Sequence, residues 1–205
     1  MSTLNPQPPL ATAKPSWRPA KLIVLLALVL MAVPAVAAPA AAEAPASDSD
    51  SARYEVYFMT NMIDHHHMAV MMTGVCLQEE GIEPDLLAMC QTMMTDQSRE
   101  ISQMQTWLDD WYGIDHMPEM MPGHGQMMAE LAALDGDQFE IEFLTGMAGH
   151  HFDAVKEGER CLRMASHDEL LDLCRSIMTS QLEEIAVMRS MLCDWHGICR
   201  SRVLR

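Results

Sequence analysis

Two adjacent histidines occur twice in this chain, each time in the same sequence context. His65-His66 follow Met62, and the arrangement returns 85 residues later as His150-His151 after Met147. Residues three and four apart lie on one face of an α-helix, so each methionine shares a face with its histidines. Imidazole is the commonest metal ligand in proteins, and thioether is a soft ligand that suits Cu(I). The doubled pattern therefore predicts a metal site built from both copies.

The helix expected after each histidine pair carries a second repeated pattern. Gln97-x-x-Glu100-Ile101-x-x-Met104 matches Gln181-x-x-Glu184-Ile185-x-x-Met188. Counted outward from the intervening turn at 1.5 Å per residue, each glutamate lies at nearly the level of its histidine pair in an antiparallel hairpin. The predicted metal ligands are therefore His65, His66, His150, His151, Met62, Met147, Glu100, Glu184, Met104 and Met188, with Gln97 and Gln181 behind them. The alternative is a metal-free network of His, Gln and Glu that fixes the register of the helices.

Copper is the metal that this ligand set favours. A ferritin-type di-iron centre takes a Glu from each of two helices and Glu-x-x-His from the other two, whereas each repeat here places one Glu near its histidines. Imidazole together with thioether suits copper, above all Cu(I). Zinc and iron stay as alternatives, since imidazole and carboxylate also serve zinc.

A second group of soft ligands lies between the two repeats. It comprises His116, Met117, Met120, Met121, His124, Met127 and Met128. Because the segment is rich in Pro and Gly and has little core to fill, it is predicted to be a flexible arm that captures Cu(I). The alternative is a loop whose methionines cover the core. A short helix is expected between Gln126 and Leu134.

The elements that hold these residues are predicted to be helices. From Tyr54 the apolar residues follow a helical period, and a partner helix is expected over 85–112. Two such hairpins joined by a long connection predict an all-α, ferritin-like four-helix bundle. Its parts are repeat one at 54–115, the crossover at 116–137 and repeat two at 138–199, followed by a tail at 200–205.

Two details of repeat two are also expected. Ser166-x-x-Glu169 matches the pattern of a capping box and is predicted to open the last helix. His167 and His196 are interpreted as ordinary polar residues.

The six cysteines fall into three pairs, of which two recur with the repeat. Cys76 and Cys90 flank the predicted turn at nearly equal distances, as do Cys161 and Cys174, and Cys193 and Cys199 remain as the third pair. In an exported protein this arrangement predicts disulfides across the helical hairpins. Thiolate metal ligands are the alternative.

The amino terminus has the features of a secretory signal. Three basic residues precede the apolar run 22–33, and Ala35-Val36-Ala37 provides small residues for cleavage. Residues 1–37 are therefore predicted to be a signal peptide and 38–53 a disordered lead-in, with an uncleaved anchor as the alternative. The mature protein is expected in the periplasm or outside the cell, with no stable membrane insertion.

The charge of the chain argues against one class of partner. With 13 basic and 29 acidic residues the formal net charge is −16. Such an acidic protein is not expected to bind nucleic acid, which requires a basic surface, whereas it attracts cations. A metal ion is therefore the predicted partner; neither a delivery protein nor the oligomeric state is predicted.

The repeated motif resembles a known family. Met-x-x-His-His-x-x-Ala-Val, its second copy and the Gln-x-x-Glu-Ile-x-x-Met helix are similar to the secreted family of unknown function DUF305, over about residues 54–199. This resemblance implies a ferritin-like helical fold, export and, in some relatives, copper handling, but no established reaction. The chain departs from the family pattern at His67 and at the charged residues Lys156, Glu157 and Glu159, which would make the second site more open or weaker.

Three functional hypotheses follow. The chain has no nucleophile with a base at motif spacing, no phosphate loop and no dinucleotide fingerprint, so no catalytic residue is predicted. The first hypothesis is an exported protein for copper binding, buffering or resistance. The alternatives are a ferritin-like metal-dependent oxidase and a metal-free structural or adaptor bundle.

Overall fold

The fold consists of α-helices. The computed structural model describes residues 49–120 and 122–199, and within them the elements are α1 (Ser49–Cys76), α2 (Pro84–Tyr112), α3 (His124–Leu131), α4 (Gly136–Met164) and α5 (Asp168–His196), with no strand. The predicted all-α class is confirmed. Helix α1 begins five residues before the expected start of the bundle, so residues 49–53 of the predicted lead-in are helical. The signal peptide, the rest of the lead-in, Met121 and the predicted tail lie outside the described residues.

The four long helices form two antiparallel hairpins, α1–α2 and α4–α5. The first turn reverses the chain at Gly81, whose φ of 81° suits a residue without a Cβ, and Pro84 then opens α2 at a position where its missing N–H costs nothing. The predicted disulfides are confirmed: Cys76–Cys90 and Cys161–Cys174 each join the two helices of a hairpin, and Cys193–Cys199 joins the end of α5 to the segment after it.

The apolar core is divided into two clusters, and each cluster draws on all four long helices. One contains the C-terminal half of α1 and the N-terminal half of α2, together with the N-terminal half of α4 and the C-terminal half of α5. The other contains the opposite halves. Helices α1 and α4 are in contact, and this sharing of halves makes them antiparallel. The fold is therefore a helical bundle whose core is interrupted midway along every long helix.

The crossover between the hairpins is attached to α1 through Asp64. One carboxylate oxygen of Asp64 accepts hydrogen bonds from His116 Nε2 at 2.9 Å and from the backbone N–H of Glu119 at 2.8 Å. Gln105 on α2 donates to the carbonyl of His116 at 2.9 Å. Helix α3, near the expected short helix, then packs on α1 and α4 and inserts Met128 into the core.

A buried glutamate of α1 holds the start of α5. Glu55 accepts hydrogen bonds from the backbone N–H groups of Ser166 and His167, at 2.6 and 3.0 Å, and from the ring of His167 at 2.5 Å. The hydroxyl of Tyr112 donates to the same carboxylate. The predicted capping box is wrong, because α5 has no cap from its own side chains and Glu55 of the other hairpin satisfies these N–H groups. The interpretation of His167 as an ordinary polar residue is also wrong, since its ring is buried and stacks on Trp111.

No helix within residues 49–120 and 122–199 combines the length and the apolar character needed to cross a bilayer.

Candidate metal centre

A layer of polar side chains lies where the two core clusters separate. Each long helix contributes to it from its middle: His65 and His66 from α1, Gln97 and Glu100 from α2, His150 and His151 from α4, and Gln181 and Glu184 from α5. His66 and His151 are completely buried, and the two glutamines nearly so. The helical stripe explains this placement, because each of these histidines follows a buried methionine by four residues. The structure thus brings together the residues that the repeat predicts at one level.

The second histidine of each pair, His66 in α1 and His151 in α4, is held by the glutamate of its own hairpin; we call these two the outer histidines. His66 Nε2 lies 2.7 Å from Glu100 Oε2, and His151 Nε2 lies 2.8 Å from Glu184 Oε2. A carboxylate oxygen accepts, so Nε2 of each ring donates and, in the neutral imidazole, Nδ1 keeps the lone pair. A carboxylate behind the far nitrogen of a histidine is the usual way of orienting a metal-binding imidazole.

The inner histidines, His65 and His150, meet across the interface between the hairpins. Their rings stack with centroids 3.6 Å apart and planes inclined by 28°. His150 Nε2 donates to the backbone carbonyl of His65 at 3.0 Å, which leaves its Nδ1 with the lone pair. The two copies of the motif therefore form one continuous layer.

Burial keeps the inner histidines neutral. Desolvation, reinforced by the neighbouring His66 and His151, lowers the pKa of His65 from 6.5 to about 3. Desolvation and the neighbouring His65 and His151 lower the pKa of His150 well below 6.5. Both imidazoles are therefore unprotonated at neutral pH, the state in which imidazole binds a metal.

Several nitrogens of this layer have no hydrogen-bond partner within the described part of the chain. They are Nδ1 of His65, His66, His150 and His151, and Nε2 of His65, all buried. Buried polar atoms are almost always paired, and a bound ion is one accepted reason for an exception. The donor set fits copper: imidazole lone pairs are available, and the predicted ligands Met62, Met104, Met147 and Met188 are buried on the same helices.

The described histidines and glutamates of the layer do not bring three ligand atoms close enough together to form one compact site. Within residues 49–120 and 122–199, the only three His, Cys, Asp or Glu ligand atoms that lie within 4.8 Å of one another belong to Asp137, Glu140 and His196. In the layer, Glu100 and Glu184 are engaged by the outer histidines. The geometry thus favours a soft ion held by few imidazoles together with thioethers over a carboxylate-rich centre.

A cavity reaches the layer from the side of α1 and α4. It has a volume of about 200 Å³ and is lined by Tyr57, Phe58, Asn61, Met62, His65 and Glu157. Met62 and His65 offer a thioether and an imidazole at its wall, and Glu157 contributes an acidic group. Glu157, one of the charged departures from the family pattern, therefore borders the approach to His65.

The residues of the predicted arm have different environments. Met117, Met120 and Met127 are exposed at 69%, 47% and 42%, whereas Met128 is buried in the core. His116 is bound to Asp64, so its Nε2 is already used. His124 has a buried Nδ1 without a hydrogen-bond partner among the described residues, and it contributes to the lowered pKa of His65. The exposed methionines fit the arm, and Met128 fits the alternative of a loop that covers the core.

Sequence reasoning missed the residues that join the two hairpins. Asp64, Glu55 and Glu140 were not identified from the sequence, although Glu55 and Glu140 are buried. His196, interpreted as an ordinary polar residue, lies 3.0 Å from Glu140 with its side chain almost fully buried, so that interpretation is wrong. One signal was available: Glu55 and Glu140 occupy the same position of the repeat.

Comparison with known proteins gives a family and several structural relatives. The family model described as a domain of unknown function, DUF305, matches residues 32–108 and 55–192. A solved structure of CopM in the Cu(I)-bound form has a TM-score of 0.62 and 28% identity, covering 70% of this chain and 98% of that one. CopM in the Cu(II)-bound form has a TM-score of 0.62 and 30% identity over 69% and 97% of the two chains.

A third relative carries the family name. It is a candidate secreted protein, DUF305, from Streptomyces coelicolor, with a TM-score of 0.61 and 25% identity over 72% of this chain and 95% of that one. A comparison with curated proteins gave no match.

Proposed function

Because this chain belongs to the DUF305 family and is similar to copper-bound structures, we propose that it is an exported copper-binding protein that buffers the ion in its histidine layer. CopM has been solved with Cu(I), Cu(II) and silver, which are soft or borderline ions of the type that imidazole and thioether accept. The proposal extends this chemistry to the His and Met residues of the present chain.

One observation carries the proposal: buried ring nitrogens of the layer have no hydrogen-bond partner among the described residues. In His66, His150 and His151 the partner of Nε2 fixes which nitrogen donates, so Nδ1 is the nitrogen left for a metal. A purely structural network would be expected to satisfy these atoms. The proposed ligands are these Nδ1 atoms and a ring nitrogen of His65, with thioethers from the four buried methionines.

The same geometry argues for copper over iron or zinc in the layer. Glu100 and Glu184 accept from His66 and His151, so we assign them to orienting the rings. The donors that remain are imidazole and thioether, and thioether adds little affinity for the harder ions. We propose the exposed Met117 and Met120 as outer sites that pass Cu(I) towards the cavity beside His65.

Two further parts of the proposal concern architecture and location. Four long helices in two hairpins with a long crossover support a ferritin-like four-helix bundle. Three disulfides support an oxidising compartment, and the signal-like amino terminus supports export to the periplasm or beyond.

The test is an anaerobic Cu(I) titration against a chromophoric chelator. The wild-type protein should withdraw copper from the chelator, and the double variant His65→Ala/His150→Ala should lose the tightest binding. His67→Ala is the matched control, since it removes the next histidine on α1 and leaves the layer intact. A double variant Met117→Ala/Met120→Ala tests the outer sites and should slow copper uptake without changing the final content.

Three results would contradict parts of this proposal. Unchanged copper content in the folded His65→Ala/His150→Ala variant would exclude the layer as the site. If that variant and His67→Ala lost equal amounts of bound copper, the number of histidines and not their position in the layer would determine binding. Steady dioxygen consumption on adding Cu(I) would favour an oxidase over a buffer.

A further inference from the structure

Three metal-binding side chains meet at the end of the bundle, where α4 begins and α5 ends. Asp137 lies in the first turn of α4, Glu140 one turn later, and His196 is the last residue of α5. Their ligand atoms lie within 4.8 Å of one another. Glu140 and the side chain of His196 are at least nine-tenths buried, whereas Asp137 is exposed, so the group opens to solvent on one side.

Glu140 presents one oxygen to this group in a fixed position. Its Oε1 accepts from the backbone N–H of Glu83 in the first hairpin at 2.5 Å. Its Oε2 lies 3.0 Å from His196 Nε2. This buried nitrogen nevertheless has no hydrogen-bond partner of proper geometry among the described residues. A buried imidazole nitrogen thus faces a carboxylate without forming the hydrogen bond that would satisfy it.

At the equivalent position of repeat one, hydrogen bonds alone satisfy the glutamate. Glu55 corresponds to Glu140, and it too accepts backbone N–H groups from the turn of the other hairpin. Its second oxygen receives the hydroxyl of Tyr112 and the ring nitrogen of His167. Tyr112 occupies the repeat position of His196, and Ala52 that of Asp137. Repeat two therefore replaces a hydroxyl donor and a methyl group by two metal-binding side chains.

We propose that Asp137, Glu140 and His196 form a second metal site, which takes a divalent transition-metal ion of the zinc type. One imidazole nitrogen and two carboxylate oxygens are the ligands of open zinc sites, with water completing the coordination. No thiolate or thioether belongs to the group, so Cu(I) is disfavoured there. The ion would also relieve the repulsion between two carboxylates held close together.

This site is separate from the histidine layer. Glu140 and His150 are ten residues apart on α4, which corresponds to about 15 Å along a helix with a rise of 1.5 Å per residue. The inference therefore does not depend on copper binding, and the two sites differ in ligand softness. Zn²⁺ and Co²⁺ are suitable probes, because Co²⁺ bound by a protein imidazole acquires a visible absorption that reports its ligands.

The experiment is an equilibrium titration of the purified protein with Zn²⁺, repeated with Co²⁺ and followed by absorption. The variant Asp137→Asn should weaken Zn²⁺ binding at least tenfold, and His196→Gln should abolish it together with the Co²⁺ band. Asp135→Asn is the matched control, because Asp135 is an exposed residue two positions away and its replacement removes the same charge. The double variant His65→Ala/His150→Ala should retain the site.

Each other outcome would overturn the inference. Equal effects of Asp135→Asn and Asp137→Asn would show that general surface charge attracts the ion. Loss of Zn²⁺ only in His65→Ala/His150→Ala would place the ion in the layer. Absence of Zn²⁺ binding at micromolar concentrations would mean that Glu140 and His196 form an ion pair only. If His196→Gln failed to fold, the comparison of the two aspartate variants would still decide.

Discussion

Acid should destabilise the metal-free protein through the inner histidines, and His65 allows the effect to be calculated. Its pKa is about 3 in the folded state, against an ordinary 6.5. Below pH 6.5 the unfolded chain binds a proton at this residue and the folded protein does not. The free energy of unfolding is therefore unaffected above pH 6.5 and falls as the pH decreases from 6.5 towards 3.

The magnitude follows from the size of the shift. Each pH unit inside this window costs about 1.4 kcal/mol, so His65 removes about 2 kcal/mol between pH 6.5 and pH 5. For a domain of this size that is a decrease in Tm of roughly 4 to 8 °C. His150, whose pKa is also lowered by burial, acts with the same sign. Glu55 does not contribute to this loss of stability, because its pKa lies below 4.5. Burial raises the pKa of Glu55, but the hydrogen bonds from Tyr112 and from the start of α5 outweigh burial and lower it.

The assay is urea unfolding at pH 7.5 and pH 5 in the presence of a metal chelator. His65→Gln removes the titrating group, so this variant should lose about 2 kcal/mol less than wild type when the pH is lowered. His67→Gln, one residue along α1, should retain the wild-type difference between the two pH values. If His65→Gln and wild type lost the same free energy, the buried neutral state of His65 would be refuted.

Three further predictions concern the stability of the helical bundle. Glu55→Gln should cost about 3 kcal/mol in urea unfolding, because it breaks a buried charged network; an effect under about 1 kcal/mol would contradict the tie between the hairpins. Gly158→Ala should destabilise by about 1 to 3 kcal/mol, since its Cβ would lie 2.6 Å from Met178 Cγ. Gly146→Ala, whose Cβ meets nothing closer than 3.7 Å, should stabilise by up to about 1 kcal/mol in the same assay. If both glycine variants changed the free energy of unfolding in the same direction, the close approach of α4 and α5 at Gly158 would be refuted. Replacing both cysteines of the Cys161–Cys174 disulfide by alanine should cost about 3 kcal/mol, and a change below about 1 kcal/mol would show that the unfolded chain is not restricted by this link.

The features that sequence reasoning predicted are those that depend on one helix or one hairpin. The apolar stripe of α1 follows from 3.6 residues per turn, and the Cys76–Cys90 disulfide follows from equal distances to a turn marked by Gly81 and Pro84. The level of Glu100 relative to the histidines follows from the constant rise of two antiparallel helices. Each of these inferences needs only local geometry, and the repeat supplies every one of them twice.

The features that were missed depend on how one hairpin packs against the other. Counting residues places Glu100 beside both histidines of α1, but the contact of α1 with α4 decides that His66 takes the glutamate while His65 stacks on His150. The same contact brings Glu55 to the start of α5. Ser166 therefore donates to Glu55 instead of capping its own helix, which is why a local motif gave the wrong prediction.

The divided core explains why each half of the bundle contains a disulfide. A layer of buried imidazoles interrupts the apolar contacts of all four long helices, and each unpaired buried polar atom costs on the order of 1 to 3 kcal/mol. Cys76–Cys90 lies in one core cluster and Cys161–Cys174 in the other. Each of these disulfides contributes about 3 kcal/mol, and the two together, about 6 kcal/mol, offset the lower end of the cost of about 5 to 15 kcal/mol that five unpaired nitrogens imply. The covalent links thus allow the folded protein to keep unsatisfied metal ligands in its interior before any ion arrives, and an ion that binds only the folded state would then add to its stability.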